Sequence, residues 1–237
     1  MALQSASRPA DQEAAEQRPW KEALLWLLLV PGFLLAYIGA EYYTSVLPPN
    51  RIGEIGMAWE HVIPFWPWTI LLYLSIDVMY AVSPFVCRTR GELRTHVPRF
   101  IVASLVSVIC FLLFPLHFDT ARPPVNGVPG ALFALLGLVD RPFNQAPSLH
   151  IGMLVILWAC FRPHCPKPWR WLLHLGFFLI ACSVLTTWQH HFLDVPLGLL
   201  LGAAVCGVVR QQDAQQLARI AHFSSVGVGW WRRLSKC

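Results

Sequence analysis

The sequence predicts an all-α integral membrane protein with six transmembrane helices. Hydrophobic residues make up 56% of the 237-residue chain and charged residues only 13%, and the mean hydropathy is +0.51. A soluble domain of this length is less apolar, and the apolar runs approach the roughly 20 residues that cross a bilayer. The predicted spans are residues 22–43, 63–85, 98–118, 148–162, 169–188 and 190–209.

These spans form one domain, residues 21–209, between two tails. Residues 1–20 contain acidic side chains and precede a full-length apolar run, which favours a cytoplasmic tail and an uncleaved first span. The fourth span needs about twenty helical residues to cross the bilayer, and Pro163 and Pro166 crowd its far end. The basic, tryptophan-containing segment 210–237 suits either a helix on the inner headgroups or a partly disordered tail.

The distribution of basic residues predicts the orientation. Fifteen of the 18 lysines and arginines lie in the tails or near residues 88–99 and 162–170, against only Arg51, Arg122 and Arg141 on the other side. Cytoplasmic connections are enriched in Lys and Arg. We therefore expect a multi-pass protein of the cytoplasmic (inner) membrane with both termini inside. The net charge of +5 reflects this topology rather than nucleic-acid binding, because the basic residues are spread over four inner segments.

The outer connection 119–147 contains a ten-residue apolar stretch, residues 130–139. It is too short to cross a bilayer. The stretch predicts either an interfacial helix or a helix packed over the bundle.

Two histidines and one carboxylate stand out against the apolar helices. His190 and Asp194 are four residues apart, which places them on one face of a helix, where the carboxylate can orient the imidazole. His150 begins the fourth span just after Ser148, and the predicted topology brings both histidines to the outer face. An oriented imidazole is a nucleophile, and a second histidine can protonate a leaving oxygen without any metal. On an ideal helix His191 points about 100 degrees away, so we expect it to support the pair.

These residues resemble two signatures of the type 2 phosphatidic acid phosphatase superfamily, whose members are integral membrane enzymes that use a phospho-histidine. Pro147-Ser148-Leu149-His150 is similar to the Pro-Ser-Gly-His element. Residues 183–194 are similar to the Ser-Arg-x5-His-x3-Asp element, with His-x3-Asp intact. Leucine in place of the glycine resembles the inositol-phosphorylceramide-synthase-like branch.

The resemblance also has departures. Arg122-Pro123 matches the end of the remaining signature, Lys-x6-Arg-Pro, but Pro115 stands at the lysine position and Val184 at the arginine position of the third element. Up to two cations that bind phosphoryl oxygens are therefore missing. The substrate-binding candidates are Arg122, with Arg141 as the alternative clamp, and Ser148, Gln189, Asn144, Gln145 and His117.

The resemblance implies that His190 attacks phosphorus, Asp194 holds its imidazole and His150 protonates the leaving alkoxide. It implies no metal and no cofactor. The expected function is a lipid phosphatase that acts at the outer face on a phospholipid or polyprenyl phosphate, with membrane lipids as its other partners. One alternative is a phosphotransferase of the sphingolipid-synthase type, which Leu149 and Val184 favour.

The other alternative is a non-enzymatic transporter or structural protein. Asp77, inside the second span, is the one intramembrane charge that weakly favours transport. We expect Asp77 instead to make a hydrogen bond between packed helices. Glu41 and Asp119, at the outer ends of their spans, are expected to be solvated.

Overall fold

The computed structural model describes residues 19–118 and 120–210, and these residues are predominantly helical. A single β-bridge pairs Gly53 with Leu116, and the predicted all-α class is confirmed for the described part. Asp119 and the two predicted tails, apart from their inner ends, lie outside it. The helices are α1 (Trp20–Leu27), α2 (Val30–Ser45), α3 (Ile70–Val86), α4 (Arg90–Leu113), α5 (Gly127–Leu136), α6 (Leu149–His164), α7 (Arg170–Thr186) and α8 (Asp194–Val208).

Among the described residues, four helical stretches are long and apolar enough to cross a membrane, and they coincide with the first, second, third and fifth predicted spans. They are Trp20–Ser45, Pro67–Val86, Arg90–Leu113 and Lys167–Thr186. The first is interrupted between α1 and α2, where Pro31 near the start of α2 has no N–H to continue the helical hydrogen bonds. The chain is therefore a helical protein with the character of a membrane protein.

The third span differs most from its predicted bounds. Its helix α4 begins eight residues before residue 98, because Thr89 caps it: the Thr89 hydroxyl accepts a hydrogen bond from the Glu92 N–H at 3.1 Å. Glu92 in turn accepts from the Arg88 N–H at 2.7 Å. The first two turns are polar, so hydropathy alone placed the start too late. The helix ends at Leu113, just before Pro115.

The fourth and sixth predicted spans correspond to the shorter helices α6 and α8, of 16 and 15 residues. The prediction that the sixth helix begins at residue 190 is wrong, because residues 189–193 form a loop and α8 starts at Asp194. Helix α6 is the centre of the bundle and packs against α3, α4, α7 and α8. Its buried side chains include Ile151, Ile156 and Leu157.

Glycines set the distance between α6 and α8. A Cβ atom on Gly198 would lie 2.5 Å from the Ser148 carbonyl oxygen, and one on Gly202 would lie 2.6 Å from that of Gly152. Small residues four apart allow helix backbones this close approach. The Ser148 N–H also donates to the Asp194 carbonyl at 3.2 Å. The beginnings of α6 and α8, which bear His150 and Asp194, are thereby held together.

Replacing Gly198 by valine is expected to push α6 and α8 apart and to destabilise the protein. Forced overpacking costs about 1–3 kcal/mol, which corresponds to a melting temperature lower by several degrees for a chain of this size. Thermal unfolding in detergent, followed by tryptophan fluorescence, measures the change. Gly207→Val is the matched control, because a Cβ atom at Gly207, in the same helix, would have no atom of the described residues 19–118 and 120–210 within 4 Å apart from its own helix backbone and chain neighbours. Equal melting temperatures for the two variants would contradict this account of the interface.

Candidate active site

His190 and Asp194 are in contact, as their spacing predicts. The His190 Nδ1 atom lies 3.2 Å from Asp194 Oδ2, and Asp194 is fully buried. The predicted shared helix face is wrong, however, since His190 precedes α8 and only Asp194 is helical. The contact arises because the turn 190–193 folds back over the first turn of α8, and Asp194 Oδ2 also accepts from the His191 N–H at 2.9 Å. The negative charge of a carboxylate in the first turn of a helix interacts favourably with the positive end of the helix dipole.

The loop that holds His190 is shaped by the end of α7. Trp188 has φ = 52°, a left-handed conformation that often ends a helix but is uncommon outside glycine. The N–H groups of Gln189 and His190 both donate to the Val184 carbonyl, at 3.2 and 3.3 Å. The Trp188 indole N–H donates to the Ile63 carbonyl at 3.2 Å. The position of His190 therefore depends partly on the connection between α2 and α3.

The two predicted catalytic histidines are neighbours. The ring centroids of His150 and His190 are 6.1 Å apart although forty residues separate them in sequence. Ser148, which is completely buried, caps α6 by accepting a hydrogen bond from the Ile151 N–H at 3.4 Å. Of its two predicted roles, helix capping is therefore the one with a contact in the structure.

Three side chains that form a cluster beside His150 were missed by the sequence analysis. Tyr73 of α3 stacks on the His150 ring, with centroids 4.1 Å apart, and its Oη atom lies 3.2 Å from His150 Nδ1. The same hydroxyl donates to Asp140 Oδ2 at 3.1 Å. Tyr37 of α2 donates to the other oxygen of Asp140 at 2.6 Å. The only sequence signal for this cluster was a carboxylate beside the Arg141-Pro142 pair and tyrosines within apolar spans.

Glu41 is not solvated, which corrects the expectation. It is only 2% exposed, and its Oε1 atom accepts a hydrogen bond from the Arg141 N–H at 2.6 Å. Asn144 donates to the Tyr37 carbonyl at 3.1 Å. Glu41 faces the bundle because it satisfies a backbone donor of the loop that follows α5, and these two bonds attach that loop to α2.

His191 is held from the opposite side of the site. Its Nδ1 atom lies 2.7 Å from Glu60 Oε2, and the other Glu60 oxygen accepts from the Met57 N–H at 3.0 Å. Its ring also packs on Phe118, with centroids 4.5 Å apart. His191 thus anchors the connection between α2 and α3, and through its backbone N–H it helps to hold Asp194.

The predicted anion clamps differ in their surroundings. Arg122 is half-buried, with its guanidinium 5.2 Å from the centroid of the Phe133 ring. Burial lowers the pKa of Arg122, and the Asp140 carboxylate opposes this shift. Arg141 is exposed and contacts Glu41 through its backbone. His117 packs on Phe143, with centroids 5.4 Å apart.

Several buried polar atoms of the predicted site residues lack hydrogen-bond partners among the described residues. Buried polar groups are nearly always paired with protein or water, so such atoms are available to a substrate or to water. The amide nitrogen of Gln189, next to His190, is a donor suited to a phosphoryl oxygen. The acceptors suit water or a hydroxyl. The atoms are Gln189 Nε2, Asn144 Oδ1, Gln145 Oε1 and Asp194 Oδ1.

Two cavities in the described part of the chain have these histidines in their walls. One, of about 140 Å³, has His150 and Asp140 in its wall and continues between apolar side chains of α2, α3 and α6. The other, of about 320 Å³, is more polar and is bordered by His190, His191, Glu54 and Glu60. Asp77 is exposed to the first cavity and makes no hydrogen bond to another described residue, so the expected helix-packing bond is not found.

Within residues 19–118 and 120–210, no group of three or more His, Cys, Asp or Glu side chains is arranged to hold a metal ion. No protein-family model matches the chain, and no match was found among curated proteins. The similarity to the type 2 phosphatidic acid phosphatases thus rests on the motifs around His150, His190 and Asp194.

Proposed function

We propose that this protein is a membrane lipid phosphatase that hydrolyses a phosphate ester through a phospho-histidine. The observation that supports it most is the neighbouring pair His150 and His190, 6.1 Å apart between ring centroids, with Asp194 bound to His190. Two imidazoles this close can act on the same phosphate ester, one as nucleophile and the other as acid.

The reaction proceeds in two steps, formation and then hydrolysis of the phospho-histidine. In the first step Asp194 accepts a hydrogen bond from the Nδ1–H of His190, and this leaves the Nε2 lone pair free to attack phosphorus. A P–N bond forms and the P–O bond to the lipid breaks. His150 donates the proton on its Nε2 to the departing alkoxide. Water then attacks the phospho-histidine, His150 accepts its proton, and the P–N bond breaks to release inorganic phosphate. Arg122 and the Gln189 amide bind the phosphoryl oxygens and stabilise the negative charge of the transition state.

The smaller cavity supports a lipid as substrate. Its wall beyond His150 is formed by apolar side chains, among them Phe33, Ile76 and Met153. Two of these belong to α2 and α3, which lie in stretches long enough to cross a membrane. A hydrocarbon chain in this cavity remains among apolar groups while its phosphate reaches the histidines.

We also propose that all six predicted spans cross the cytoplasmic membrane, with both termini inside and the histidines toward the outside. A helix of 15 or 16 residues is about 23 Å long, less than a hydrocarbon core of about 30 Å. Irregular backbone at membrane depth is tolerated where protein surrounds it. The N-terminal ends of α6 and α8 are enclosed in this way, so the site lies a few ångströms below the outer surface.

Impermeant thiol labelling tests this orientation. A cysteine at Asn126, which is exposed between α4 and α5, is expected to react in intact cells. The matched control is Lys167→Cys, equally exposed in the connection between α6 and α7, and it should react only after the cells are broken. Labelling is measured above that of the unsubstituted protein. Labelling of the cysteine at position 167 but not of that at position 126 in intact cells would show that the orientation is the opposite of the proposed one.

A lipid phosphotransferase is the second candidate, and the polar cavity beside His190 favours it. At about 320 Å³ this cavity has room for an acceptor alcohol next to the phospho-histidine. Leu149 and Val184, which distinguish this chain from the phosphatase signatures, point in the same direction. In this reaction a lipid hydroxyl replaces water in the second step.

One experiment distinguishes these functions. Purified protein in EDTA-containing buffer is given phosphatidic acid or a polyprenyl phosphate with a ³²P-labelled phosphate, with and without a lipid alcohol. The phosphatase predicts labelled inorganic phosphate and an acid-labile label on the protein that disappears in His190→Ala. Label mainly in a phosphate monoester of the added lipid alcohol would favour the transferase. Turnover that stops in EDTA and returns with added metal would overturn the metal-free mechanism.

A further inference from the structure

We propose that Tyr73 and Asp140 are positioning residues for His150: they bind its Nδ1–H and so direct Nε2, which carries the proton to be transferred, toward the leaving oxygen. The proposal rests on the function above, because it assigns the partners of the acid in that reaction. It concerns residues outside every motif that the sequence analysis used.

The directions of the hydrogen bonds follow from which groups can donate. An ionised carboxylate only accepts, so the Tyr73 hydroxyl donates its one hydrogen to Asp140 Oδ2, at 3.1 Å. The Tyr73 oxygen is then left to accept from His150 Nδ1–H, at 3.2 Å. The chain of bonds therefore runs from His150 through Tyr73 to Asp140 and leaves the other ring nitrogen, Nε2, for the substrate.

The ring of Tyr73 adds an orientation that the hydrogen bond alone does not impose. It lies 4.1 Å from the His150 ring between centroids, with 24° between the ring planes. Stacking restricts rotation of the imidazole about its own side-chain bonds, while the hydroxyl determines which nitrogen points inward. A phenylalanine at position 73 would keep the first effect and lose the second.

Asp140 is itself held from α2. Tyr37 donates to Asp140 Oδ1 at 2.6 Å, and Glu41 binds the backbone N–H of the next residue, Arg141, at 2.6 Å. This explains why a glutamate is buried at the end of a membrane-spanning stretch. Its contact fixes the loop that brings the Asp140 carboxylate against Tyr73.

The two histidines thus interact with a carboxylate in different ways, and the difference suits a nucleophile in one case and an acid in the other. His190 contacts Asp194 directly, an arrangement that stabilises the positive charge which develops as its Nε2 attacks phosphorus. His150 contacts Asp140 only through a hydroxyl, so its imidazolium is stabilised less and gives up its proton more readily. The mobile proton passes between Nε2 and the leaving alkoxide or the attacking water, and the Nδ1–H remains bonded to Tyr73 throughout.

The test is the leaving-group dependence of Tyr73→Phe. With octyl phosphate, whose alkoxide needs protonation, kcat/KM is expected to fall about 10- to 100-fold, part of the usual value of acid catalysis. With p-nitrophenyl phosphate the fall should be less than about threefold, because nitrophenolate leaves without a proton. The ratio kcat/KM is used because it reports the steps up to release of the alcohol. Asp140→Asn should show the same pattern, and His150→Ala should show it more strongly.

Tyr43→Phe, on the exposed surface of α2, is the matched control and should leave the ratio between the two substrates unchanged. Equal losses on both substrates in Tyr73→Phe would assign Tyr73 a structural role and overturn the proposal, as would unchanged activity on both. If the unsubstituted protein hydrolysed neither substrate nor any lipid phosphate, the proposed function itself would fail. Normal turnover with no leaving-group effect would refute only the positioning role.

Discussion

His190→Ala is expected to reduce kcat/KM for a lipid phosphate by about 10³-fold or more, the scale seen when a nucleophile is removed from a catalytic set. Asp194→Asn should lose about 10²- to 10⁴-fold, because an amide can present its N–H to His190 and favour the wrong tautomer. Initial rates of phosphate release from purified protein measure both variants. Their folding is checked by thermal unfolding in detergent, since Asp194 also holds the His191 backbone.

His191→Ala is the control for this prediction. The His191 ring is bound to Glu60 rather than directed at His150, so its loss should affect stability more than the chemical step. We expect less than about a tenfold reduction in kcat/KM, well below that of a missing nucleophile. Activity of His190→Ala within a few-fold of the unsubstituted protein, or an acid-labile phosphoryl label that persists in this variant, would remove His190 from the mechanism.

Arg122→Ala is expected to reduce kcat/KM by about 10²-fold, the usual cost of losing one group that stabilises a transition-state anion. The half-buried position of Arg122 strengthens its interaction with a phosphoryl group, because nearby water screens it less. Arg122→Lys should recover part of the loss, since it restores the charge but not the paired donors of a guanidinium.

Arg141→Ala provides the comparison, because Arg141 belongs to the alternative Arg-Pro pair. Its side chain is exposed and its contact with Glu41 uses the backbone, which alanine retains. We expect less than about a threefold change, typical of a surface substitution. A larger loss in Arg141→Ala than in Arg122→Ala would exchange the two assignments.

Hydropathy and spacing predicted the helices of this protein better than the contacts at their ends. The apolar runs correctly indicated α3 and α7, the second and fifth predicted spans, because a helix buried in lipid or protein needs a continuous apolar sequence. The starts of α4 and α8 were misplaced. In α4 the Thr89 cap extends the helix into polar sequence, and before α8 the left-handed Trp188 diverts the chain into a loop.

The pairing of His190 with Asp194 illustrates how a correct contact can follow from an incorrect conformation. Four-residue spacing brings side chains together on a helix, but here a turn that closes on the first residue of α8 produces the contact. The expectation for Glu41 was wrong for a related reason. A carboxylate at the end of a span is solvated only if that face of the helix is free, and the face is covered by the loop that contains Arg141.

The helical class, the apolar character and the short motifs that bear His150, His190 and Asp194 were predictable from the sequence, because these depend on composition and on residues near one another in the chain. The contacts of His150 with distant side chains were visible only in the folded protein. Tyr73, Asp140 and Tyr37 come from three separate segments, and their hydrogen bonds depend on the rotation of α2 and α3 about their axes. An apolar stripe can be buried through many rotations at similar free energy, whereas a hydrogen bond forms at very few, so the polar contacts select one arrangement that the hydrophobic pattern leaves open.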